Sequence, residues 1–396
     1  MTTASAIAEL IQALRAGTLG PEWFSGRVVD DDDLVVSALV LGLAPALDHR
    51  LAEWGIELAP RAKAKLGAIR QSSRVRYAAI IAQLGEILSA LQREAVKPIV
   101  LKGCYLAAQV YPAPELRPMN DIDLLFREEE LEAVDRVLVR LGYERHSKSR
   151  ELGTGVVKHT RTYRLPGPSI ETPNPYLSSA SARTVEPHGS LEESWFGLRC
   201  DITPGVFERA QPFPVAGHEA RALCAEDLLL HLCVHLAFHL IMGAPSFVQL
   251  MDMDVVLRKF ADPEGIPFRW ADFLGRVRST RSAPFIYASL RLAGKLWGSP
   301  VPAEVEQQLS EHCPGPIRRY VGGLSLEDVL ARTQNPPLTT IPQRLRRGLE
   351  DRLETSRWAV GLPARWRVWR TLFAVARTDT GRMILTSGCK RKHSEY

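Results

Sequence analysis

Two aspartates, Asp121 and Asp123, stand two residues apart in the run Asp121-Ile122-Asp123-Leu124-Leu125-Phe126. Polar and apolar residues alternate before the run becomes wholly apolar, which predicts a strand entering a core. Residues i and i+2 of a strand share a face, so both carboxylates project together. Carboxylates held that close repel each other unless a cation lies between them. Hard oxygen ligands suit Mg²⁺ or Mn²⁺, which complete their shells with water and substrate phosphates. A lone pair of this kind is common on surface strands, and its meaning depends on its surroundings.

Upstream, Leu101-Lys102-Gly103 closes a short apolar strand that starts at Lys97 and opens a helix. Glycine there lets the backbone approach a phosphate, and the helix N-terminus offers free N–H donors. Arg117, four residues before Asp121, is placed to hold a triphosphate oxygen. Downstream, Asp201 lies between Cys200 and Ile202 in a second short apolar strand. A two-metal phosphoryl-transfer site needs a third carboxylate from a neighbouring strand, as ligand and as base on the acceptor hydroxyl. Asp201 is the expected one.

His231, His235 and His239 recur every four residues on one helix face. No HExxH arrangement is present, which excludes a zincin protease. His235 or His239 could touch nucleotide or acceptor; the plainer reading is a partly buried helix interface, and His159 carries the same ambiguity. Asp252 and Asp254 on the next helix read as structural. Asp30 to Asp33, just before the apolar run at Leu34, read as a helix N-cap with dipole-favoured acids.

The elements that must position these residues alternate. Residues 1 to 95 read as helical, with Ile80, Leu84, Ile87, Leu88 and Leu91 at helical spacing. Strand, turn, helix, loop, strand and helix then follow through Leu141, a mixed α/β signature. Residues 145 to 197 are polar and broken by Gly and Pro, with a strand expected over Val156 to Leu165. From Ala222 the chain is helical again, and 335 to 342 reads as a linker. The expected regions are 1–95 (helical), 96–215 (core), 216–334 (helical) and 335–396 (basic tail).

The run VLKGCYLAAQVYPAPELRPMNDIDLLF resembles the core motif of the uncharacterised nucleotidyltransferase family within the DNA polymerase β-like superfamily. The resemblance extends to LGYERH, VVKHTRTYRL, the apolar-Asp-apolar element at Asp201 and LLLHLCVHLAFH…LMDMDVVL, roughly residues 70 to 300. It implies an α+β fold, a small mixed sheet with flanking helices, extended by N- and C-terminal helical regions. It also implies Lys102 and Gly103 at the nucleotide triphosphate, Asp121 and Asp123 as metal ligands and Asp201 as the third acid. Two departures stand out. The superfamily often has Ser after the glycine, where this chain has Cys104. Relatives commonly carry His-Trp after the third acid, where this chain has Thr203-Pro204.

Composition agrees with a globular protein of 396 residues, 45% hydrophobic and 24% charged. The net charge of +5 is uneven: residues 342 to 396 hold 13 Lys+Arg against 5 Asp+Glu, a net of +8, leaving −3 elsewhere. Within that tail, Trp358, Trp366 and Trp369 interleave with Arg357, Arg365, Arg367 and Arg370. Such a segment can bind nucleic acid or anionic lipid, but the plainer reading packs the Trp face inward with the arginines solvated. The six cysteines show no CxxC pair, arguing against a disulfide framework or a cysteine zinc site. No signal peptide or transmembrane segment is expected, and a cytoplasmic location follows.

The expected activity is transfer of a nucleoside monophosphate from an NTP, ATP first among them, with Mg²⁺ or Mn²⁺. The acceptor, a small molecule, peptide or protein, is not specified by the sequence. The alternatives are a non-catalytic relative that binds nucleotide or a partner, and a nucleic-acid-binding protein acting through the tail.

Overall fold

The computed structural model describes residues 4–15, 24, 26, 29–146, 162–166, 184–333 and 340–377. His159, most of the strand expected over Val156 to Leu165, residues 335–339 of the expected linker, and Cys389 lie outside them.

Chain order begins with helices α1 (Ala4–Leu14), α2 (Asp31–Val40), α3 (Ala44–Trp54) and the long α4 (Pro60–Arg93). The four aspartates act as the plainer reading had it. Asp30 caps α2 by accepting from the Asp32 N–H at 2.7 Å, and Asp32 pairs with Lys65. Strand β1 (Ile99–Val100), α5 (Lys102–Gln109), β2 (Asp121–Leu125), α6 (Leu131–Arg140), β3 (Glu144–His146), β4 (Thr162–Arg164) and β5 (Thr184–His188) follow. A hairpin, β6 (Glu192–Trp195) and β7 (Leu198–Asp201), leads through the short α7 (Val206–Arg209) to β8 (Gln211–Val215) and β9 (His218–Ala222). The remainder is helical: α8 (Ala225–Ile241), α9 (Phe247–Ala261), α10 (Trp270–Thr280), α11 (Ala283–Leu292), α12 (Ala303–Glu311), α13 (Gly315–Gly323), α14 (Leu326–Thr333), α15 (Ile341–Trp358) and α16 (Leu362–Arg377).

Among the described residues, seven strands form one mixed sheet in the order β3-β4-β5-β2-β1-β9-β8, and β6–β7 forms a separate two-stranded sheet. The fold is therefore α+β, with helices flanking a mixed sheet. Strand β2 lies between β1, which runs antiparallel to it, and β5, which runs parallel.

The alternation along β2 divides its side chains between two cores. Ile122 and Leu124 face the core that α4 closes with Ile80, Leu84, Ile87, Leu88 and Leu91. Leu125, with Ile99 and Leu101 from β1 and the residue after it, belongs to the larger core built by α8, α9 and the other helices. Asp121 and Asp123 share Leu125's parity, so the acidic face of β2 is turned towards the helical region and not towards bulk solvent.

The C-terminal helices divide the Trp face expected of the tail, while Arg357, Arg365, Arg367 and Arg370 are exposed as expected. Trp358 packs inward, with its ring parallel to Phe285 at 5.9 Å. Trp366 does the opposite and is 62% exposed, while Arg352 is buried and donates to Thr371 Oγ1.

Candidate active site

The sheet register fixes the centre. Asp121 pairs with Thr184 and Asp123 with Glu186 across the parallel β2–β5 ladder. Side chains opposite one another on adjacent strands share a face, so Glu186 stands beside Asp123, and His188 one pleat further along. His188 Nε2 lies 2.8 Å from Asp123 Oδ1. Among the described residues, Asp123, Glu186 and His188 bring their ligating atoms within 4.8 Å of one another, and all three are buried. Two carboxylates and an imidazole this close offer a donor set that could hold a divalent metal. Asp121 is half-buried on the same face of β2, and it is not one of the three residues of that group.

Lys102 enters from the strand-to-helix turn. Its φ of 35° is in the left-handed region, unfavourable for a side-chain-bearing residue. Its Nζ lies 3.4 Å from Asp123 Oδ2. Burial alone would lower the ammonium pKa, but Asp123, Asp121, Glu193 and Glu186 together outweigh it and hold the pKa above the ordinary lysine value. Lys102 thus sits in the field of four carboxylates, with Asp123 in direct contact.

Gly103 follows, at the start of α5. A Cβ there would meet Arg117 Nη1 at 3.0 Å and Met119 Sδ at 3.2 Å, so the turn is packed tightly against the loop before β2. Cys104, at the position where the superfamily often has Ser, is buried beneath the acids. Burial, with the fields of Asp121 and Asp123, pushes its thiol up to about 12, which keeps it neutral.

The sheet order corrects the placement of Asp201. The parallel neighbour of β2 is β5, whereas among the described residues β7 pairs only with β6, outside the seven-stranded sheet. Asp201 is exposed, and its Oδ1 accepts from the Thr203 N–H at 2.9 Å and from the Thr203 hydroxyl at 2.5 Å. It closes a local turn at the end of the hairpin.

Arg117 is likewise engaged elsewhere. Its Nε and Nη2 donate to the two oxygens of Asp252, at 3.1 and 2.8 Å, and the Tyr111 hydroxyl donates to the same carboxylate. Asp254 bonds Arg258 and Ser299. Both helical acids are structural, as expected, but they are buried and not on the helix surface. Arg117→Ala leaves the Asp252 carboxylate buried without its ion-pair partner, at a cost of about 3–5 kcal/mol. Urea unfolding should read that loss; a change below about 1 kcal/mol would show that Asp252 does not depend on Arg117.

The histidine face of α8 is buried, and its rings are arrayed along the helix, with His235 and His239 4.4 Å apart. His235 Nδ1 lies 2.8 Å from Glu193 Oε1 of β6, and His239 Nδ1 lies 3.1 Å from the Ala244 carbonyl oxygen. The interface reading accounts for this face, with one addition. Through Glu193, His235 is tied to the hairpin whose field reaches Lys102.

A family model described as an uncharacterised nucleotidyltransferase matches residues 28–298. The chain belongs to this family. No curated protein and no solved structure matches it. The family segment holds the whole acidic centre and ends before the C-terminal helical pair α15–α16. Among the described residues no helix is long and apolar enough to cross a membrane.

Glu186, His188 and Glu193 are the residues that sequence reasoning missed. A signal for the first two existed, because Glu186-Pro187-His188 sets a histidine two places after an acid, where Asp201 is followed by Thr203.

Proposed function

We propose that this chain transfers a nucleoside monophosphate from an NTP to an acceptor, with Asp121, Asp123 and Glu186 as its acidic triad. The observation that carries the proposal is the β2–β5 register, which sets Glu186 beside Asp123 where Asp201 had been expected. Asp121, Asp123 and Glu186 would hold Mg²⁺ or Mn²⁺, which would supply charge neutralisation at the reacting phosphate when bound. His188, bonded to Asp123, orients that carboxylate, as outer-shell partners commonly do.

The chain's own groups divide the remaining work. Lys102 and the first N–H groups of α5 take the triphosphate, with Gly103 keeping the backbone close. Glu186 accepts the proton of the acceptor's nucleophile. The nucleophile forms a bond to the α-phosphorus, the bond to the β-phosphate oxygen breaks, and pyrophosphate leaves. Arg117 and His235, each held by a carboxylate, position the turn and the hairpin and do not contact phosphate directly. ATP is the first nucleotide to test, and the acceptor is a small molecule, peptide or protein.

The four NTPs, each with Mg²⁺, should be screened by equilibrium binding and by pyrophosphate release with and without acceptors. At least one NTP is expected to bind only when Mg²⁺ is present. Absence of metal-dependent binding for all four would overturn the proposal.

A further inference from the structure

The tail helix α16 lies outside the family segment, and its two sides differ in a way that the nucleotidyltransferase reading does not use. One side is fixed to the protein: Val368 and Thr371 are buried. Gly197, in the β6–β7 turn at φ +76°, sits so close that a Cβ there would meet the Arg367 carbonyl oxygen at 3.1 Å. At about 100° per residue, Leu362, Trp366 and Trp369 fall on the opposite side. Leu362 is 82% exposed, Trp366 is 62% exposed, and Val360 in the preceding turn is 62% exposed. Trp369 is half-buried, and Arg365 and Arg370 flank this stripe and are exposed.

An outward stripe of Leu and Trp is costly to leave in water. The helix carries four arginines and no acid, within a segment of net charge +8. Basic residues bordering Trp and Leu match the boundary of an anionic bilayer. There the rings and aliphatic chains enter the headgroup region, and the guanidiniums stay with the phosphates. Nucleic acid fits the charge but leaves Val360 and Leu362 without an apolar partner.

We propose that the outer face of α16, led by Val360, Leu362 and Trp366 and bordered by Arg365 and Arg370, docks on an anionic lipid surface. The full-length protein should sediment with vesicles containing phosphatidylglycerol and phosphatidylcholine at low ionic strength. Binding to phosphatidylcholine alone should be at least tenfold weaker. Leu362→Glu and Trp366→Glu alter exposed side chains and so should leave unfolding unchanged, but each should weaken vesicle binding by about tenfold or more. Arg365→Gln with Arg370→Gln should weaken it by a similar factor and flatten its salt dependence.

Failure to bind vesicles, or binding indifferent to the Leu362 and Trp366 variants, would overturn the proposal. So would finding that those two variants instead abolish self-association or binding to duplex DNA or RNA while vesicles are ignored. None of these readouts uses NTP chemistry, so each stands or falls apart from the catalytic proposal.

Discussion

Asp123→Asn should reduce affinity for Mn²⁺, measured by calorimetry in the presence of a non-hydrolysable NTP, by about a hundredfold or more. Loss of an outer-shell partner alone costs about 10–100-fold in metal affinity, and Asp123 is the carboxylate on which the other groups converge. Its Oδ1 meets His188 Nε2 at 2.8 Å, its Oδ2 lies 3.4 Å from Lys102 Nζ, and Glu186 stands opposite it in the sheet. Asparagine keeps the shape and still offers an oxygen to His188, so the fold should survive while the charge is lost. Asp121→Asn should have the same direction of effect. Unchanged affinity in the double variant would remove the pair from any metal centre.

The second large effect separates two acids that lie near one another in sequence but not in the sheet. Glu186→Gln should reduce turnover by a factor of about 10²–10⁴, the scale of a positioned general base, with NTP binding reduced much less than turnover. Asp201→Ala should leave turnover within about twofold, because Asp201 is exposed and bonded to its own turn at Thr203. Both variants should be assayed together against the same NTP. The opposite pattern, an inert Glu186 and a crippled Asp201 variant, would restore Asp201 as the third acid.

The contrast between these two residues shows what the sequence made legible. The acidic pair could be read because β2 alternates cleanly, with Ile122 and Leu124 entering one core while Asp121 and Asp123 share the other face. The long helix could be read because Ile80, Leu84, Ile87, Leu88 and Leu91 are spaced to face the sheet, and all five are buried there. Glu186 could not be found the same way. Its strand contains Pro187, which pairs with Leu124 in the interior of the sheet, and proline ordinarily argues against a central strand. Asp201 sits in a more regular apolar run and so drew the assignment, but local alternation cannot report which strands become neighbours. That is settled by packing between distant segments.

The same limit explains Arg117 and the tail. Arg117 was read as a phosphate ligand from its place before Asp121, yet its bidentate partner Asp252 is 135 residues away in sequence. Trp358 and Trp366 look alike in the Trp/Arg repeat. Only the docking of α15 and α16 on the rest of the molecule sends one inward against Phe285 and leaves the other exposed.

The central claim is that Asp121, Asp123 and Glu186 together form the metal centre of a nucleotidyltransferase. Its most direct test is a crystal structure of the protein soaked with Mn²⁺ and a non-hydrolysable NTP, with the metal located by its anomalous signal. The signal should lie between the carboxylates of Asp121, Asp123 and Glu186, with the nucleotide's phosphates extending towards Lys102 and Gly103. Manganese held at Asp201, or nucleotide bound with no metal at β2 and β5, would contradict it.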